Sequence, residues 1–340
     1  MKPVSRAPYM LSQQSPRAPM TDVLVALVPA LIFACYFFGV RALLVTLVSV
    51  AACVGSEAAF QLALRRPVTV TDLSAVVTGV LLAFTLPASI PYWAAALGGV
   101  FAMVVVKGLF GGLGKNFLNP ALAARAFLTT FPVLMNHWTA PMEQLPLLSA
   151  ADAVTSATPM SYLHQGLLPP QTLRQLLVGQ RAGSLGEVAV LMLMLGGAYL
   201  VLRRVISPRI PLYFLGTVAA VSLLTHPAGT APWEWAAYQL CSGGLMLGAV
   251  FMATDYVTSP VTRWGQTLFA VGCGLLTMLL RTFGAFPEGV CYAILMMNTT
   301  VCLLDRLCRP RPMGAPRRRL IPRGAHSAPR TGKHEKEGGR

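Results

Sequence analysis

Ten apolar runs, each about as long as a bilayer is thick, dominate this chain. They cover residues 23–40, 42–64, 73–90, 92–110, 120–136, 184–202, 210–226, 235–254, 265–283 and 288–305; the fifth and seventh are the shortest. A helix needs about 20 apolar residues to cross roughly 30 Å of hydrocarbon. Inside lipid the backbone must satisfy its own polar groups. The runs therefore predict an all-α, polytopic transmembrane helix bundle of about ten spans. Composition agrees: 11% of residues are charged, whereas a soluble domain carries roughly 25%. No short h-region with a cleavage site precedes the run that starts near Val23, so that run is expected to stay as a span. The division that follows is a cytoplasmic N-terminal segment (1–22), a transmembrane domain (23–305) and a basic tail (306–340).

The net charge of +15 raises a nucleic-acid reading, and its distribution argues against it. Eleven Lys/Arg lie from Arg306 onward against only Glu335 and Glu337, which places +9 of the total in a Pro/Gly-rich tail. Such a tail lacks apolar residues to bury and is expected to be disordered. Beside a membrane it would touch anionic lipid of the cytoplasmic leaflet. With the N-terminus inside, inner segments hold twenty-two Lys/Arg: Lys2, Arg6, Arg17, Arg65, Arg66, Lys107, Lys115, Arg203, Arg204, Arg209, Arg263 and the eleven of the tail. Outer segments hold four, Arg41, Arg174, Arg181 and Arg281. That bias orients the bundle with both termini inside. It also puts the long connection 137–183 outside, where length itself points to function. The seven cysteines show no C-x-x-C pairing and fall mostly in apolar runs, so no iron–sulfur or metal site held wholly by this chain is expected.

Four segments could carry chemistry. The outer connection contains Asp152-Ala153-Val154-Thr155-Ser156-Ala157-Thr158-Pro159. By residue type this is either a polar turn capped by Asp152 or a modification sequence. Small neighbours leave a hydroxyl sterically open to an enzyme. On the inner side, Gly111-Gly112-Leu113-Gly114-Lys115-Asn116-Phe117-Leu118-Asn119-Pro120-Ala121 is either a turn or a re-entrant or broken helix. Glycines allow close backbone approach, and Asn116 and Asn119 offer amides at membrane depth. In Phe251-Met252-Ala253-Thr254-Asp255-Tyr256-Val257-Thr258-Ser259-Pro260-Val261, Asp255 ends a span and needs a donor such as Thr254, Thr258 or Ser259. In Phe286-Pro287-Glu288-Gly289-Val290, Glu288 sits where a helix dipole favours an anion, and Asn298 follows within the last span.

In this order and spacing the four segments resemble the family that contains the D-type membrane component of the Rnf ion-translocating electron-transport complex and the B-type component of the sodium-pumping NADH:quinone oxidoreductase. The G-G-L-G-x-N-x-x-N-P-A and F-M-A-T-D-x-V-x-S-P-V segments carry most of the likeness, with Ala83-Phe84-Thr85-Leu86-Pro87 in support. The resemblance spans roughly 20–305, and chain length favours the Rnf branch. It implies a bacterial inner-membrane protein that passes electrons between ferredoxin and NAD, coupled to Na⁺ or H⁺ transport, beside Rnf subunits of the A, B, C, E and G types. It also implies FMN esterified through its phosphate by a flavin transferase. The family acceptor sequence is D-x-x-[ST]-G-A-T, and its last threonine is Thr158 here. Asp152, Thr155 and Ala157 match, and Ser156 replaces the usual glycine. A second, non-covalent flavin (riboflavin) is implied as well. Asn116, Asn119 and Asp255 are candidates for its surroundings, for an ion path or for a structural role.

The chain carries no dinucleotide fingerprint and no catalytic or metal-ligating set. It is therefore expected to work as one electron-transfer subunit among several, not as a complete enzyme. Two other classes fit the residues: a solute or ion transporter, and a cofactor-free membrane scaffold. A transporter with inverted repeats would place equivalent breaks on opposite sides. Asn116–Pro120 and Asp255–Pro260 both fall inside, which weakens that reading. Glu57 and Asp255 are the candidate intramembrane carboxylates for ion coupling.

Overall fold

The computed structural model describes residues 17–135, 137–142, 156–187, 190–284 and 288–308. The tail beyond 308, Asp152 and Thr155 lie outside the described residues. The described fold is helical, and each of the ten apolar runs contains a helix. Among the described residues, four helices have full membrane length: α1 (Arg17–Phe38), α2 (Val40–Ala63), α13 (Arg263–Phe283) and α14 (Val290–Leu307). The others are short. Helix α3 (Ser74–Phe84) has 11 residues, roughly 16 Å and about half a crossing. The remaining elements are α4 (Tyr92–Val100) with a π-helical continuation over Phe101–Gly108, α5 (Pro120–Thr129), α6 (Pro132–Met135), α7 (Pro159–His164), α8 (Leu173–Val178), α9 (Val190–Leu202), α10 (Arg209–Leu224), α11 (Pro232–Cys241) and α12 (Leu245–Leu247) with a π-helical turn over Gly248–Met252. Ten apolar runs are thus not ten straight spans. Apolar length cannot distinguish a full crossing from a half-helix followed by extended chain.

The breaks sit where sequence removes helical hydrogen bonding. Helix α3 ends three residues before Pro87. Its last turn is closed by Thr85 Oγ1, which donates to Leu82 O at 2.7 Å. The chain then extends. Gly186 N donates to Phe84 O at 2.8 Å and Leu185 N to Leu86 O at 3.0 Å. The carbonyls of Ala88, Ser89 and Ile90 accept from the guanidinium of Arg41, at 2.9, 3.2 and 3.4 Å. A second break separates α11 from Leu245–Met252, with a bend of 68°. Gly243 takes φ +66° there, a conformation that costs other residues. Arg281 Nη1 donates to Gln239 O at 2.7 Å and Nη2 to Ser242 O at 2.9 Å. Arg181 donates to Cys241 O and Glu187 O. Buried guanidiniums thus replace the helical N–H groups that these carbonyls lost.

Packing repeats in two halves. Helix α2 packs on α3 and α4, as α10 packs on Gly248–Met252 and α13; α5 packs beside α4, as α14 packs beside α13. The halves meet through α1 against α9 and α5 against α14. The repeated break is Thr85-x5-Pro91 in the first half and Thr254-x5-Pro260 in the second. Lys107 reaching Ser74 corresponds to Arg281 reaching Ser242. Asn116–Pro120 and Asp255–Pro260 are therefore not equivalent segments. Asn119 opens α5, whose counterpart is α14, so a same-side location of those two segments does not speak against inversion. Above one end, α7 and α8 pack on α11 through Met160, Leu163, Leu176, Trp235 and Tyr238, which form a small cap.

Candidate functional site

Asn116, Asn119 and Asp255 come together around one cavity. Its walls include Ser74 and Thr78 at the start of α3, Lys107, and Thr254 to Val257. The space open to water is about 80 Å³. Asn119 caps α5: its Oδ1 accepts from Ala121 N at 3.0 Å and Leu122 N at 3.4 Å. Its Nδ2 donates to Met252 O at 3.3 Å, tying α5 to the π-helical turn. With its amide turned to suit its neighbours, Asn298 accepts from Asn119 N at 3.3 Å and donates to Thr258 O at 3.1 Å. Asn116 Nδ2 donates to Leu118 O at 3.1 Å and shapes the turn before α5. The Asp255 carboxylate accepts from Thr258 Oγ1 at 3.1 Å and Val257 N at 3.4 Å. Its companions are local, as its neighbourhood of hydroxyls predicted.

Lys107 forms one wall of this cavity and of a wider one, of about 430 Å³, lined also by Glu57, Gln61, Arg66 and Asp72. The π-helical turn brings Lys107 Nζ to 2.7 Å from Glu57 Oε1 and 2.6 Å from Ser74 Oγ. Both side chains are buried, and Glu57 Oε2 has no hydrogen-bond partner. Glu57 is therefore not a lone carboxylate, and Lys107 is not a surface charge.

Thr158 lies apart from that cavity, at the start of α7 in the cap. It is the N-cap residue, with φ −77° and ψ 150°, followed by Pro159. Its carbonyl accepts from Ser161 N and Oγ, but its side chain makes no capping bond. The other polar N-caps of the described α-helices use theirs: Asn119, Thr172 and Thr262 each accept from the following turn. Ala157 is exposed and Ser156 half-buried, with Ser156 N donating to Trp138 O at 2.8 Å. Below the cap lie Arg181, Arg281 and Glu187, all buried. Burial pushes the Arg181 guanidinium below its ordinary range, and Glu187 partly offsets this. His164 Nδ1 stands 2.7 Å from Arg281 O and joins α7 to α13.

Several groups escaped the sequence reading. Arg125, which lies inside a span, forms an ion pair with Glu288. Glu187 had no role assigned. Three of the four arginines expected outside, Arg41, Arg181 and Arg281, are buried against carbonyls. For Arg125 and Arg281 the available signal was a basic residue inside an apolar run. All seven cysteines are free.

Fold and site together define an all-α membrane protein built of paired half-helices, with a polar cavity at one end and a helical cap at the other. The chain belongs to the NQR2, RnfD, RnfE family, whose model matches residues 3–314. It is 45% identical to the D subunit of the Na(+)-translocating ferredoxin:NAD(+) oxidoreductase complex of Acetobacterium woodii, over 92% of this chain and 95% of that one. It is 39% identical to the D subunit of the ion-translocating oxidoreductase complex of Stutzerimonas stutzeri, over 87% and 91%. It is 38% identical to the D subunit of the proton-translocating ferredoxin:NAD(+) oxidoreductase complex of Clostridium ljungdahlii, over 92% and 96%.

Proposed function

We propose that this chain is the flavin-carrying membrane subunit of an Rnf-type complex that couples electron transfer between ferredoxin and NAD to ion translocation. Coverage of nine-tenths of both chains at 45% identity supports the same place in the complex. The observation that carries the flavin is Thr158. It is a buried N-cap threonine whose hydroxyl is left out of the cap, next to an exposed alanine. FMN esterified there supplies one- and two-electron chemistry. The chain fixes its attachment point: α7 is anchored on α11 by Met160 and Leu163 and on α13 by His164. Ser161 spends its hydroxyl on the Thr158 carbonyl, which holds the turn with no help from the Thr158 side chain. A second, unlinked flavin belongs to the same reading. Of the two cavities that share Lys107, the wider has room for a ring system. The narrower, with Asn116, Asn119 and Asp255, is sized for water or ions.

The orientation is that of an inner-membrane protein with both termini in the cytoplasm and Thr158 on the periplasmic side. Burial of Arg41, Arg181 and Arg281 leaves Arg174 as the exposed basic residue of that side among the described residues. Eight exposed ones, Arg17, Arg65, Arg66, Lys115, Arg203, Arg204, Arg263 and Arg306, support the other side as cytoplasmic. Partner subunits of the A, B, C, E and G types exchange electrons with it, a flavin transferase matures it, and its basic tail touches anionic lipid.

The test is in-gel flavin fluorescence of the denatured chain produced with a functional flavin transferase. A fluorescent band that vanishes in Thr158→Ala is the expected result. A dark wild-type band removes the covalent flavin, and a bright mutant band moves it to another residue.

A further inference from the structure

Helices α9 and α10 follow each other in the chain, joined by residues 203–208, yet they scarcely pack together. Each packs instead on the π-helical turn over Gly248–Met252. Consecutive elements are usually neighbours in space, so this pair leaves a gap where a contact is expected. Small residues draw α9 inward. A Cβ at Gly196 would strike Ala26 O, and one at Gly197 would stand 2.6 Å from Val250 Cγ1. On the outside there remains a groove of about 200 Å³, walled by Ala198 and Val201 of α9 and Leu212 of α10, with Val250 as its floor. Every residue that lines it is apolar. Ile206 and Pro208 of the connection border it at one end.

The chain at that end carries Arg203, Arg204 and Arg209. Arg203 reaches Asp22 at 3.3 Å. Arg204, which is exposed, and Arg209 enter no ion pair among the described residues. The connection is held in shape. Arg204 takes φ +58°, a conformation unusual for a residue with a Cβ. Its N–H donates to Val201 O at 3.0 Å, and the Tyr256 hydroxyl donates to Val205 O. An apolar slot that ends at unpaired guanidiniums matches the two parts of one molecule, a hydrocarbon chain and an anionic headgroup. Basic pockets between membrane helices bind such headgroups on the cytoplasmic side. We propose that the α9–α10 groove holds one anionic phospholipid, with an acyl chain along Ala198, Val201 and Leu212 and its phosphate on Arg204 and Arg209. A membrane helix is about 10–12 Å across and would lie over this slot, whereas a single acyl chain enters it. In the orientation given above the lipid belongs to the cytoplasmic leaflet, and Thr158 plays no part in holding it.

Native mass spectrometry of the purified full-length chain, incubated with phosphatidylglycerol or with phosphatidylcholine, tests the site. The wild type should keep one phosphatidylglycerol under activation that strips phosphatidylcholine. The double variant Arg204→Gln/Arg209→Gln leaves the groove open and should bind phosphatidylglycerol about tenfold or more weakly than the wild type, down to the level of phosphatidylcholine. Ala198→Phe keeps every arginine and the basic tail but fills the slot, and it should lose the retained lipid as well. Equal retention of the two lipids by the wild type, or undiminished retention of phosphatidylglycerol in either variant, overturns the proposal. If Ala198→Phe does not fold, the arginine pair decides alone. A photoreactive residue at Leu212, irradiated in membranes that hold the whole complex, reports the occupant in place. The expected adducts are richer in anionic phospholipid than the surrounding membrane. Adducts of bulk lipid composition, or a crosslink to a partner subunit or a second copy of this chain, overturn the proposal.

Discussion

Two residues that open short helices illustrate opposite uses of an N-cap. Asn119 spends every polar atom of its side chain on backbone, two bonds within α5 and one across to Met252. Thr158 spends none on its cap. Asn119→Ala removes a cap worth about 1 kcal/mol and leaves the buried Met252 carbonyl short of a donor, a further 1–3 kcal/mol or so. Thermal unfolding of the detergent-solubilised chain should show a clear fall in midpoint; an unchanged midpoint would mean that Asn119 does not hold the start of α5. Both residues stood out in the sequence because a polar side chain followed by proline is a local pattern. The Arg125–Glu288 pair did not, because its members stand 163 positions apart. Glu57 was legible as an intramembrane carboxylate but not as the partner of Lys107, since only the π-helical turn brings the two together.

At the scale of elements, the broken helices matter most. Gly/Pro/Asn density announced breaks near Asn119 and Asp255, and both are present. The break at Ser242–Gly244 lay hidden within one apolar run, because its carbonyls are satisfied by Arg181 and Arg281 from distant elements. Gly243 and Gly229 provide a matched test of that arrangement. Both have positive φ, +66° and +91°, but only Gly243 has neighbours within 4 Å of a Cβ, the nearest being Arg281 Nη2 at 3.1 Å. Alanine at either site carries a backbone cost of about 1–2 kcal/mol. Gly243→Ala should lose more stability than Gly229→Ala, by the amount that displacing Arg281 adds. Equal losses, measured by chemical unfolding in detergent, would mean that the guanidinium does not hold the break.

Across the whole molecule, hydropathy placed a helix in each of ten runs without giving the number of helices, and the pairing of two halves emerged only from packing. The repeat was obscured in sequence because Thr85–Pro91 and Thr254–Pro260 share just their first and last residues along with hydroxyl side chains. The orientation predicts that cysteine placed at Arg174 reacts with a membrane-impermeant thiol reagent added to whole spheroplasts. Cysteine at Lys115 should react only after lysis; the reverse pattern would invert the bundle. The role proposed for the chain turns on the covalent flavin, and peptide mapping of the mature protein reads that bond itself. The expected result is a peptide heavier by one FMN less one water, with fragmentation assigning the addition to Thr158. An unmodified Thr158 peptide from cells with an active flavin transferase, or an addition on Ser156 or Thr155, would contradict it.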